Sequence, residues 1–226
     1  MAETAGVKTE ENKYMDYSTE YNEIFLRKYR ELENIEPNLY ASLKKHYREE
    51  FETFRTLRNS LTHDEVEGHY PFAVSKDVVD YIDAILEIAT TKVIDLCTPL
   101  DALVTVKLNT TIREAVSIMD IKGFSYLPIL DKNQRVIAVV SEKGIISYLA
   151  EGNISPNDTV NDFKRYFLIN NGKEKFSFLS ASDNLDSARK TFERNKNTKR
   201  CELIFLTKNG HPEEAVLGIL TPHDVL

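Results

Sequence analysis

Two short stretches carry residue types that could do chemistry. The first is Gly218-Ile-Leu-Thr221-Pro-His223-Asp224, an apolar strand running into a hydroxyl and a carboxylate three residues apart. A carboxylate at a helix start can accept bonds from two neighbouring sugar hydroxyls, and the hydroxyl and backbone amides beside it can meet phosphate. Lys199-Arg200, ahead of the preceding strand, would add cations, and His223 could reach the same anion. The second stretch is Arg58-Asn59 followed by His63. A histidine can move the proton of a 2′-hydroxyl and an arginine can stabilise charge on a phosphate under attack, with no metal needed. Both stretches also have plainer readings. Thr, Pro and Asp all suit a helix start, and cations are ordinary near a helix C-terminus. Five residues along an ideal helix turn through about 140°, so Arg58 and His63 share a face only where the helix ends near His63.

The elements that must position these residues fall into two styles. From Tyr40 the large apolar residues are Tyr40, Leu43, Tyr47, Phe51, Phe54, Leu57 and Leu61, the spacing of one helix face, with Pro37 where a first-turn proline belongs. Tyr17 to Leu32 is weakly amphipathic before it, and Ser75 can cap a third helix carrying Val78, Val79, Ile82, Ile85, Leu86 and Ala89. These predict a bundle of about three helices. Past residue 92 short apolar strands alternate with short helices, and the pattern runs twice. LVTV, a helix opened by the capping box Thr111-x-x-Glu114, YLPIL, the turn DKNQ and IAVV form the first copy. FSFL, a helix with Leu185, Ala188 and Phe192, CELIFL, the turn TKNG and LGIL form the second. Ile112, Ala115 and Met119 match Leu185, Ala188 and Phe192 at a constant offset of 73, while Ser141 matches Thr221 at 80, with part of the difference in the loop HPEEA.

The two copies differ where chemistry would sit. The second reads Thr221-Pro-His-Asp224, with Lys199-Arg200 before its CELIFL strand. The first reads Ser141-Glu-Lys-Gly144, with Phe124-Ser125 before YLPIL. The acid and the cation are therefore both present in one copy and both missing from the other.

Composition bounds the partners. The chain has 226 residues, 42% of them hydrophobic, and a formal net charge of -7. That balance argues against non-specific attraction to nucleic acid, and no DNA partner is expected. Residues 20–60 hold eight Lys/Arg and eight Asp/Glu, which is no basic track for RNA. No apolar run approaches the ~20 residues of a membrane span, and the opening MAETAGVKTEENK lacks an apolar signal core. Cys97 and Cys201 match no metal spacing and fit a reducing compartment. A cytoplasmic protein with no metal and no required cofactor is expected. His46 and His69 lack ligand partners at recognisable spacing.

From about residue 93 onward, the order of elements, the LPIL before a turn and the strand-then-T-x-x-D resemble a tandem pair of cystathionine-β-synthase (CBS) domains, a Bateman module. The resemblance implies an α+β fold in which two β-α-β-β-α units dock with pseudo-twofold symmetry behind the helical bundle. It also implies that the T-x-x-D element binds the ribose of an adenine nucleotide, and that a basic residue before the second strand meets phosphate. It assigns Thr221, Asp224, Arg200, Lys199, His223 and Gly218 to one competent site. The helix implied beyond Asp224 is not supplied by this sequence. The Arg58-Asn59…His63 stretch, ending a long helix, resembles the R-x4-6-H signature of HEPN domains, which include metal-independent ribonucleases as well as inactive members. In catalytic members the Arg and His of two protomers share a site.

The expected organisation is a tail over 1–14, a HEPN-like helical domain over 15–92, and CBS repeats over 93–152 and 153–226. The leading expectation is a regulatory protein, not a metabolic enzyme, in which an adenine nucleotide (AMP, ADP, ATP or a related adenosine ligand) binds the second repeat and signals to the helical domain of a homodimer. One alternative is a ribonuclease gated by that nucleotide, with Arg58, Asn59 and His63 as its catalytic residues and RNA as its partner. Another is a structural dimerisation module without ligand.

Overall fold

The computed structural model describes residues 11–63, 70, 72–152, 155, 157–193 and 200–225, with side chains from residue 20 onward. The chain divides into two compact units after Thr90.

Among the described residues the first unit holds four helices: α1 (Glu11–Glu33), α2 (Pro37–His46), α3 (Arg48–His63) and α4 (Lys76–Thr90). The single helix expected across Tyr40–Leu61 is two helices, kinked at Tyr47, whose φ and ψ are −108° and 49°. The charges explain the break. Lys44, Lys45 and His46 fill the last turn of α2, and Glu49 and Glu50 fill the first turn of α3. Each set stabilises a helix end through the backbone dipole. Helix α1 includes residues 11–14, which belong to the segment expected to be a tail. The apolar faces meet in a core of Phe25, Leu32, Leu43, Phe54, Leu61, Ile82 and Ile85. Asn22, 1% exposed, ties the approach to α4 onto α1, since its Nδ2 donates to Phe72 O (2.8 Å) and its Oδ1 accepts from Val74 N (2.8 Å).

The second unit opens with α5 (Val93–Leu96) and β1 (Thr98–Pro99). The first copy supplies α6 (Ile112–Lys122), β2 (Tyr126–Leu130), β3 (Val136–Ser141) and α7 (Glu142–Leu149). The second supplies β4 (Lys175–Ser180), α8 (Leu185–Phe192), β5 (Cys201–Thr207) and β6 (Val216–Leu220), followed by one 3-10 turn over Pro222–Asp224. The sheets are β2-β3 and β1-β6-β5-β4, with β4 and β5 parallel. LVTV, expected as a strand, is not part of a sheet; Val106 N donates to Pro128 O (3.1 Å). Pro128 has no N–H with which to return a ladder bond, so the counterpart of the β4–β5 ladder does not propagate.

The copies are strapped reciprocally. Val93 N donates to Asp183 O (2.9 Å) and Leu185 N to Thr91 O (3.0 Å). Likewise Ile112 N donates to Asp158 O (2.9 Å) and Val160 N to Thr110 O (3.0 Å). The two bridges, Lys92↔Asn184 and Thr111↔Thr159, fall on the N-cap residues of α8 and α6. The sheets meet through Val136 and Val139 of β3 against Leu203 and Phe205 of β5 and Val216 of β6. The HPEEA loop is ordered by Glu214, which accepts from Asn209 N (2.7 Å) and Nδ2 (2.5 Å). Those bonds push its carboxyl down to about 2. No described helix is long and apolar enough to cross a membrane.

Gly218 lets β1 reach β6. A Cβ there would lie 2.5 Å from Cys97 Sγ and 2.7 Å from Thr98 O. Since a backbone carbonyl cannot step aside, Gly218→Ala should destabilise the protein by about 1–3 kcal/mol. A lowered urea midpoint at unchanged slope checks this.

Candidate functional site

The β5–β6 register brings the sequence-predicted residues of the second copy to one sheet edge. Ile204 pairs with Leu220, so Arg200, just ahead of β5, and Thr221–Asp224, just after β6, leave the sheet at the same end. Arg200 and His223 are exposed, and Thr221 and Asp224 are half-buried. Lys199 lies outside the described residues. Gly218 sits deeper in β6, packed under Cys97 and Thr98.

Asp224 caps its own turn. Its Oδ2 accepts from Thr221 N (2.6 Å) and from Thr221 Oγ1 (2.8 Å). Among the described residues nothing donates to its Oδ1. The turn is anchored behind by Arg189, whose Nε donates to Val225 O (2.8 Å). Burial pushes the Cys97 thiol up, and the nearby Asp224 carboxylate adds to that rise. The cap thus uses one oxygen of the Asp224 carboxylate, and Arg200 leaves the sheet at the same end.

The equivalent edge of the first copy is filled. Ser141, the N-cap of α7, accepts from Gly144 N through its Oγ (3.0 Å) and donates that hydroxyl to Glu174 Oε2 (2.5 Å). Glu174 is 6% exposed, and its Oε1 is buried with no hydrogen-bond partner among the described residues. Burial raises the Glu174 carboxyl, while the Ser141 hydroxyl and the Lys143 ammonium oppose the rise. Around it, Lys143 Nζ pairs with Glu202 Oε1 (2.5 Å), Tyr126 Oη donates to Glu202 Oε2 (3.2 Å), and Ser125 Oγ donates to Glu142 Oε1 (3.0 Å). Burial, then the charge of Glu202, pushes the Tyr126 phenol up. Gly144, where the second copy has its acid, is covered by the buried Phe167 ring.

Glu174 was not flagged by the sequence. Its setting, Asn-Gly-Lys-Glu-Lys, reads as a solvated turn, and its partner Ser141 lies 33 residues away.

In the helical unit, Arg58 Nη1 donates to Asn59 Oδ1 (2.9 Å), Nη2 pairs with Glu33 Oε1 (3.5 Å), and the guanidinium lies 5.6 Å from the Tyr29 ring centre. His63 is the exposed last residue of α3, and no hydrogen bond joins it to Arg58 among the described residues. Burial raises the phenols of Tyr29 and Tyr40, with Glu33 adding to both. Among the described residues no three His, Cys, Asp or Glu side chains converge to hold a metal.

Residues 88–151 match the family model of the CBS domain. No match was found among the curated proteins. Solved structures give remote likenesses. CBSX2 in complex with AMP is 21% identical over 60% of this chain and 92% of its own, with a TM-score of 0.44. The CBS domain of the bacterial CNNM/CorC family Mg2+ transporter in complex with ATP is 19% identical over 64% and 90%, at 0.47. An uncharacterized conserved protein from Pyrococcus horikoshii is 16% identical over 59% and 88%, at 0.44.

Gly144 tests the filled edge. A Cβ there would meet Phe167 Cδ1 and Cε1 at 2.7 Å. Gly144→Ala should lower stability by about 1–3 kcal/mol despite the better helix propensity of Ala. The loss should shrink in a Phe167→Leu background, because the two changes share one contact. A double-mutant cycle from urea denaturation reads both values.

Proposed function

We propose that this chain, which carries a CBS domain over residues 88–151, is a regulatory protein whose second unit is a pair of CBS repeats with one working nucleotide edge. The ligand is an adenine nucleotide. Asp224 Oδ1 accepts from its ribose hydroxyls, Oδ2 remains with the Thr221 cap, and Arg200, with Lys199 and His223, meets its phosphates. Gly218 serves the site indirectly, by letting β1 close on β6. The protein acts as a homodimer, and nucleotide occupancy biases the helical domain through residues 91–96. The helical domain receives the signal and does no chemistry of its own: the commitment of Arg58 to Glu33, Asn59 and Tyr29 supports a packing role.

The observation that carries this reading is the difference between two equivalent edges. At the first, Ser141 is occupied by the chain's own Glu174 and the acid is replaced by glycine under Phe167. At the second, the cap uses one oxygen of the Asp224 carboxylate, and the exposed Arg200 leaves the sheet at the same end. A ligand shifts a conformational equilibrium only by its preference for one state, typically 1–3 kcal/mol between coupled sites.

Calorimetry against AMP, ADP, ATP and S-adenosylmethionine tests the proposal. One of them should bind, at one site per chain. Asp224→Asn keeps a cap acceptor but loses the charge, and should weaken binding by about tenfold, or ~1.4 kcal/mol. Ser141→Ala, at the first edge, should change affinity less than about twofold. Absence of binding to every adenosine compound, or equal losses from the two variants, would refute it.

A further inference from the structure

Glu174 joins the two repeats at a point where neither sheet pairs with the other. It directly precedes β4 of the second copy and contacts the N-cap of α7 in the first. Its backbone is held by Asn171, whose Oδ1 accepts from Lys173 N (2.7 Å) and Glu174 N (3.3 Å). Its side chain is enclosed, with one oxygen on the Ser141 hydroxyl and the other buried and unpartnered among the described residues. An ionised carboxylate with a dry, unpaired oxygen is costly, whereas a neutral acid tolerates that position.

Burial favours the neutral form; the Ser141 hydrogen bond and the Lys143 charge oppose it, and the charges of Glu202 and Glu142 add to the effect of burial. Glu142 and Lys143 face Glu174 from α7, and Glu202 faces it from β5. Tyr126 of β2 completes the cluster, donating its hydroxyl to Glu202. Lys143 is the one cation among these groups, and Glu202 already holds it. Ionised Glu174 would therefore add a third negative charge to a cluster with a single, engaged ammonium.

We propose that Glu174 is a proton-operated latch between the repeats: as a neutral acid it closes on Ser141 and clamps the start of α7, and on ionising it withdraws toward water and frees that helix start. The raised carboxyl fixes the sign. A group whose folded-state value is raised holds the closed state fully below the ordinary carboxylate range, and releases it as pH climbs through the raised value. Release removes the acceptor of the Ser141 hydroxyl and frees Ser141 Oγ to turn from Gly144 N, loosening the first turn of α7. Nothing in this device requires nucleotide at the second edge, so it stands or falls apart from the proposed function.

The full chain, labelled for NMR, tests it between about pH 4 and 8. The Glu174 carboxyl carbon should titrate above the ordinary carboxylate range. The Gly144 amide should lose at least about tenfold in protection factor with the same midpoint. Glu174→Gln, neutral at every pH, should flatten the protection profile. Glu202→Gln should keep the profile and move its midpoint down, because it removes a nearby negative charge and releases Lys143. An ordinary Glu174 midpoint, or a pH dependence that survives Glu174→Gln, would overturn the latch. Should Glu174→Gln not fold, the titration of the unsubstituted chain decides the matter alone.

Discussion

The seam between β3 and the β5–β6 pair is the contact on which the second unit depends. A two-stranded sheet is marginal in water on its own, and β2–β3 is such a sheet. Val136, Val139, Leu203, Phe205 and Val216 are each 5% exposed or less. Burying a side chain of this size is worth about 1.5–3 kcal/mol. Each copy is too small to cover its own apolar face, and the seam gives each the other's face as cover. The two reciprocal bridges follow from the same need, because the segment leading into one copy pairs at the first helix start of the other. Thr111 and Asn184 each cap a helix with the side chain and take a strap on the backbone, so helix placement and the docking of the copies are one constraint.

Within that frame the two halves of the unit differ at their edges, and two glycines mark how. Gly218 exists because Cys97 and Thr98 must approach β6, and the position 80 residues earlier, Ala138, carries a side chain inside the first core. Gly144 exists because Phe167 must lie over α7, and the position 80 residues later is Asp224. In each case the glycine marks where a neighbouring segment crosses closely, and the other copy uses the freed space differently. The crossing at Gly144 also delivers Phe167 O to Val139 N (2.7 Å), so filling the first edge and completing the outer side of β3 are one event.

How much of this was legible follows from how local each determinant is. The offset of 73 located both helix starts because caps are local: Thr111 reads with Glu114, and Asn184 reads with Ser187. The kink at Tyr47 was also written locally, in the switch from Lys44-Lys45-His46 to Glu49-Glu50, but the apolar spacing runs through it unbroken and hid it. LVTV failed as a strand because pairing depends on a partner, and the partner contains Pro128. Glu174 was invisible because its burial is made by Ser141 and by packing from distant sequence, while its own neighbours are polar. For Asp224 the sequence posed capping and ligand binding as alternatives. The geometry removes the opposition, because a carboxylate has two oxygens and the cap uses one of them.

That division of labour bears on how the second edge could speak to the rest of the molecule. The oxygen that caps Thr221 fixes the turn, and the turn ends at Val225, whose carbonyl is held by Arg189 of α8. Helix α8 begins at Asn184, and Asn184 bridges Lys92, whose ammonium also donates to Ser182 O (3.1 Å). An unbroken run of hydrogen bonds and one short helix thus joins Asp224 to residues 91–93, where the second unit begins. In the proposed reading a ligand on Oδ1 pulls on the residue that closes this run, and any preference for one setting of the turn is felt at α8 and then at the bridge. The first edge has no such lever, since Ser141 answers to Glu174 within the interior. In the two proposed readings together, one edge answers to a solute and the other to the protonation of Glu174.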